Sequence, residues 1–145
     1  MATIFTIGHS NRTIDEFIAI LNHYKITHLV DARSRPFSKY APQYNRFSLE
    51  KALESNGISY LYRGQSVGGL DVNKRQEEVL DGLAQFAKNG MRMALCCAEK
   101  LPHDCHLCTV IAPLLNARGV EVEHLISVSE TETHRSVKQE KLFDD

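Results

Sequence analysis

No stretch of this chain approaches the run of about eighteen apolar residues that a membrane-spanning helix needs, so no membrane partner is expected. The opening MATIFTIGHSN has neither a charged n-region nor a long apolar h-region, so it reads as a strand and not as a signal peptide. A cytoplasmic setting is therefore expected, in which cysteines stay reduced and a structural disulfide is disfavoured. An excess of one charge sign is also missing: 17 basic residues nearly cancel 18 acidic ones. That balance argues against a surface coated with positive charge for nucleic acid and leaves room only for a local patch. No repeat and no low-complexity segment interrupts the 145 residues, a length at which one domain buries a continuous core. A hydrophobic share of 43% and a charged share of 24% are those of a globular chain.

What is present alternates short apolar runs with longer amphipathic ones, the pattern of a parallel α/β sheet. TIFTIG, THLVDAR, ISYLYRG, MRMALCCAE and VEVEHLISV read as strands. Between the first two, Thr13 is placed to cap a helix with Asp15 and Glu16 in its first turn and Ile14, Phe17, Ile18 and Leu21 on one face. Ser48 is expected to cap a short helix that Gly57 ends. A longer helix before Asn89-Gly90 should turn Val79, Leu83 and Phe86 inward. Asp104 is a candidate cap for the helix CHLCTVIAPLLNARG, which Pro113 could kink. The expected architecture is a single α/β domain over residues 1–128, a three-layer sandwich with about five mostly parallel strands. Residues 129–145 then form a polar C-terminal tail or short terminal helix, from which His134 could fold back over the site.

In such sheets ligands bind outside the carboxyl ends of the strands. That rule gathers His9, Ser10 and Asn11 with Asp31, Arg33, Arg35, Arg63, Gly64, Cys97, Glu99 and Lys100 on one rim. The same rim receives CCAEKLPHDCHLC, thirteen residues that hold all four cysteines. Neighbouring strand residues face opposite ways, so Cys96 and Cys97 cannot share a site; Cys96 is expected in the core. Cys97, Cys105 and Cys108 with His106 or His103 would make a four-ligand zinc site, the one cofactor the cluster suggests. CHLC at a helix start is also the place of a thiol redox pair. A cysteine phosphatase loop is excluded, because the Arg it needs is replaced by His103 or Ile111.

IFTIGHSNRTIDEFIAIL, LVDARSRPFSKYAPQYN, LEKALESNGISYLYRGQSVGGL and CAEKLPHDCHLCTVIAPLLNARGVEVEHL together resemble the domain-of-unknown-function family 488. The resemblance carries the family's recurrent positions onto His9, Ser10, Asp31, Arg33, Pro36, Asn45, Gly68, Gly69, Cys97, Glu99, Cys105 and His106. It departs at Leu107, where the family has Arg, and adds Cys108. It implies no activity, since the family's name records an unknown one.

The chemistry these residues suggest is an enzyme acting on a phosphate-bearing or other anionic substrate, a small molecule or a nucleic acid. His9 or His106 would serve as acid or base, Glu99 as a second base, Asp31 as an orienting group and Cys105 as a nucleophile. Ser10, Asn11, Arg33, Arg35, Asn45, Gly68 and Gly69 would bind the substrate, with Lys39 adding charge. Alternatively Asp31 and Arg33 simply pair at a strand end. A competing class is a zinc-clipped, non-catalytic module that holds nucleic acid through RSRPFSKYAPQYNR, with Phe37, Tyr40 and Tyr44 stacking on bases.

Overall fold

The computed structural model describes residues 2–37, 39–64, 74–98 and 107–134. Six strands form one sheet: β1 (Thr3–Gly8), β2 (His28–Asp31), β3 (Ser59–Tyr62), β4 (Met93–Cys97), β5 (Glu121–Ser127) and β6 (Glu130–His134). Their order is β3-β2-β4-β1-β5-β6, parallel throughout except for the last strand. The expected mostly parallel α/β sandwich is therefore the fold, with one strand more than the sequence suggested. Glu130–His134, read as the start of a tail, returns antiparallel along β5 through the turn at Val128 and Ser129. The segment ETETH lacks the apolar alternation of a half-buried strand and its turn lacks Asn-Gly, so neither usual hairpin signal is present. As an edge strand it needs no buried face. Its register sets His134 opposite Val122, at the amino end of β5 and so at the end of the sheet away from the rim.

Helices α1 (Ile14–His23) and α2 (Arg46–Glu54) cover one face; α3 (Lys74–Lys88) and α4 (Ala112–Asn116) cover the other. The order explains this: the chain steps one way from β1 to β2 to β3 and the other way to β4 and β5, and right-handed crossovers then demand opposite faces. One core holds Phe17, Leu21, Leu49, Leu53 and Cys96, the other Leu80, Leu83, Leu115, Val122 and Cys97. The adjacent cysteines thus separate to opposite layers, as strand alternation requires.

Thr13 caps α1 in a reciprocal box with Glu16. Helix α2 begins two residues before Ser48, with Asn45 as its cap position, because Leu49 N–H donates to the Asn45 carbonyl. Arg46 N–H meanwhile donates to the Pro36 carbonyl at 2.8 Å, fastening the loop after β2 to the helix. On α3 the inward face is Leu80, Leu83, Ala84 and Ala87, the i, i+3, i+4, i+7 set; Phe86 lies off it and is 51% exposed. Leu107–Ile111 winds as a π-helical segment before α4, and Pro113 sits in the first turn of α4, where a missing N–H costs little. Asp104 and residues 135–145 lie outside the described residues.

Candidate functional site

Strands β1 and β4 are neighbours whose following segments lead to opposite faces of the sheet. This is the switch point at which open α/β sheets bind ligands. The ladder runs on past both strands: His9 N–H donates to the Cys97 carbonyl at 2.9 Å and Ser10 N–H to the Ala98 carbonyl at 2.8 Å. Ser10 is forced to φ 46, the left-handed region that a non-glycine residue rarely adopts. Such a conformation costs on the order of 1–3 kcal/mol and persists only where the surroundings over-determine it.

That bend sets the His9 ring. Its Nδ1 lies 2.9 Å from the Ser10 carbonyl, which only accepts, so Nδ1 carries the proton and Nε2 the lone pair. The ring stacks on Tyr44 at 4.5 Å and 17°. Burial lowers the imidazole pKa below its usual 6.5, against the Ser10 carbonyl, which raises it; Arg33 lowers it further and Asp31 opposes. The result is a neutral imidazole at neutral pH. Tyr44 is fully buried, donating to the Arg12 carbonyl at 2.7 Å and the Thr13 carbonyl at 3.0 Å, so it anchors His9 and is no exposed stacking platform. Arg12 is buried behind this turn. Its Nε donates to the Gly8 carbonyl at 2.9 Å, and Nη2 finds no partner among the described residues. Burial depresses its pKa.

Asp31 and Arg33 pair with each other. Asp31 Oδ1 accepts from Arg33 Nε at 2.8 Å and from its backbone N–H at 3.2 Å; Oδ2 accepts from Nη2 at 2.8 Å and from the Tyr60 hydroxyl at 2.5 Å. The carboxylate is wholly buried. Burial works against the Arg33 charge, yet the hydrogen bonds and charge of Asp31 outweigh it and leave the guanidinium pKa raised. Asp31 therefore braces Arg33, and Tyr60 braces Asp31. The described hydrogen bonds include none between Asp31 and His9. Gly64 closes this corner, since a Cβ there would collide with the Arg33 carbonyl.

Outside this pair lies an open cavity of about 360 Å³ lined by Ser34, Arg35, Pro36, Phe37, Arg46 and Tyr62. The Arg46 guanidinium sits 4.6 Å above the Tyr62 ring and 5.8 Å from that of Phe47. Its Nε is buried and unpartnered among the described residues. Lys39 lies 5.6 Å from the exposed ring of Tyr40. Among the described residues no carboxylate lines the cavity.

Of the residues expected on the rim, the structure brings together His9, Asp31 and Arg33, whose charges are felt at His9. Ser10 is half-buried, Asn11 and Arg35 are exposed, and Asn45 is half-buried at the start of α2. Cys97 packs into the α3/α4 core. Gly68, Gly69, Glu99, Cys105 and His106 lie outside the described residues, as does the side chain of Cys108. Among the described residues no three His, Cys, Asp or Glu side chains gather as a metal site would need. Tyr60, Arg12 and the burial of Tyr44 were missed. Tyr60 was the most accessible of these: pairing β2 with β3 in parallel puts it opposite Leu29, on the face of Asp31.

Residues 13–76 match the family model described as domain of unknown function DUF488. This segment is similar to the DUF488 domain over 64 of the 145 residues. The match runs from the cap of α1 into the start of α3. It includes the Asp31–Arg33–Tyr60 brace and the whole lining of the 360 Å³ cavity, while His9 stands just before it. No curated protein and no solved structure matches the chain. Among the described residues no helix is long and apolar enough to cross a membrane.

Proposed function

We propose that this protein, similar to DUF488 over residues 13–76, is an enzyme that takes a phosphate-bearing substrate, a nucleotide or a single-stranded nucleic acid, at the carboxyl rim of its sheet. His9 acts as the base; Arg35 and Arg46 hold the phosphate. The observation that carries this reading is the state of His9: a neutral imidazole, its tautomer set by the Ser10 carbonyl, with its Nε2 lone pair unused among the described residues. The substrate class rests on the cavity beyond the Asp31–Arg33 pair, where two guanidiniums and two aromatic side chains meet with no carboxylate among the described residues. Arg33 is committed to Asp31 and shapes the rim from beneath. The exposed Phe37, Tyr40 and Phe47 favour an occupant with stacking rings, which also suits a second reading: a module that binds nucleic acid without turning it over.

One experiment separates the two. A short fluorescent single-stranded oligonucleotide is titrated by anisotropy at several salt concentrations, and its products are followed by chromatography. Arg46→Ala should weaken binding about tenfold or more, the cost of one charge-assisted contact, and flatten the salt dependence. His9→Gln should keep the affinity and lower turnover about a hundredfold or more, the usual contribution of an acid–base group. Salt-sensitive binding with no turnover would leave the module reading. Absence of binding both to the oligonucleotide and to nucleoside phosphates would sink both.

A further inference from the structure

A second cavity, about 410 Å³, opens on the other face of the sheet between α3 and the edge strand β3. Its floor follows from strand alternation: His28 and Val30 of β2, Ser59 and Leu61 of β3 and Met93 of β4 all point to this side. Its wall is the outer flank of α3, where Phe86 stands clear of the core. Leu61 and Phe86 are 38% and 51% exposed, so the apolar floor and wall are both open to solvent. The volume lies within the range of small-molecule sites, roughly 300–1,000 Å³.

Two observations say what would fill it. The first is Gly82, in the middle of α3: a Cβ built there meets nothing within 4 Å. Glycine in a helix interior is unfavourable, and no packing among the described residues requires it, so the residue leaves space that those residues do not use. The second is the charge of the lining. Its polar members among the described residues are His28, Ser59 and Arg63, with no carboxylate. Arg63 stands at the carboxyl end of the floor; its guanidinium donates to the Tyr62 carbonyl at 2.7 Å and pairs with no acid among the described residues. From Ser59 to Arg63 the strand runs about 13 Å, an apolar trough with a cation at one end.

We propose that this cleft binds an amphipathic carboxylate of the medium-chain fatty acid class, its head on Arg63 and its tail along Val30, Leu61 and Met93 beneath Phe86. The cleft shares no lining residue with the phosphate cavity, although Arg63 stands at the rim end of β3, and the proposal does not depend on the phosphate reading. It is tested by calorimetric titration of decanoate below its micelle concentration, with decanol as the uncharged comparator. The wild-type protein should bind decanoate at a single saturable site. Gly82→Leu should fill the cleft, abolish binding and raise Tm, while Gly82→Ala should gain helix stability and still bind. Arg63→Gln should weaken decanoate about tenfold, as loss of a charged contact does, and leave decanol unchanged. The proposal is overturned if the wild type shows no saturable binding, if Gly82→Leu binds as well as wild type, or if Arg63→Gln makes no difference. Sedimentation at several concentrations gives the last outcome: a dimer lost in Gly82→Leu, without decanoate binding, would assign the face to a second copy and overturn the ligand.

Discussion

Burial lowers the pKa of His9, and the sign of that shift has two consequences. A folded-state value below the unfolded value of about 6.5 means that protonation favours the unfolded chain. The cost is absent above that pH and grows as pH falls through it. Denaturant titrations of wild type and His9→Gln should therefore run parallel above about pH 6.5 and converge or cross below it, with the wild type losing stability faster. If the two stay parallel down to pH 5, His9 is not held neutral by the fold. The Asp31–Arg33 pair has the opposite logic. Its atoms are buried with four hydrogen bonds on one carboxylate, so Asp31→Asn leaves a guanidinium unpaired. We expect a loss of about 3–5 kcal/mol, the range for breaking a buried pair, measured by urea unfolding. Tyr60→Phe removes a single bond to the same carboxylate and should cost less, about 1–3 kcal/mol.

At the scale of elements, the strands and α1 were legible because each carries its signal within its own residues. TIFTIG is β-branched and aromatic, and Thr13 with Glu16 is a local cap. The elements misread are those shaped by partners distant in sequence. Helix α2 starts early, after Asn45, whose carbonyl takes the Leu49 N–H, and the Pro36 carbonyl of the loop after β2 takes the Arg46 N–H; the second contact lies ten residues away from Arg46 and outside any window around Ser48. The spacing of Val79, Leu83 and Phe86 sets them on one helix face, yet α3 turns Leu80, Leu83, Ala84 and Ala87 to the sheet and leaves Phe86 outside. The Asp31–Arg33 pair, two residues apart, was foreseen as one of two alternatives, whereas Tyr60, 29 residues from Asp31, was not. Two glycines mark the energetics of this level. Gly82→Ala should stabilise the protein by about 0.5–1 kcal/mol, the helix-interior penalty of glycine, since open space surrounds the added methyl. Gly64→Ala should instead destabilise it, because the methyl would meet the Arg33 carbonyl. Thermal unfolding of both variants checks the contrast.

Across the whole molecule, the sheet order assembles chemistry that the chain scatters. His9 and the Asp31–Arg33 pair come from separate segments, and they come together because β1, β4 and β2 lie side by side with their carboxyl ends aligned. That rim was readable from the α/β pattern alone, since parallel strands send all their following segments to one end. The division of labour on it was not, because pairing and burial decide it: Arg33 is spent on Asp31 and Tyr44 on His9, while Arg35 and Arg46 line the open cavity. The central claim is that this rim turns over a phosphate-bearing substrate with His9 as its base. Its most direct test is the oligonucleotide assay on wild type and His9→Gln side by side. Equal affinity with turnover lost in the variant is the predicted result; equal turnover in both proteins would contradict it.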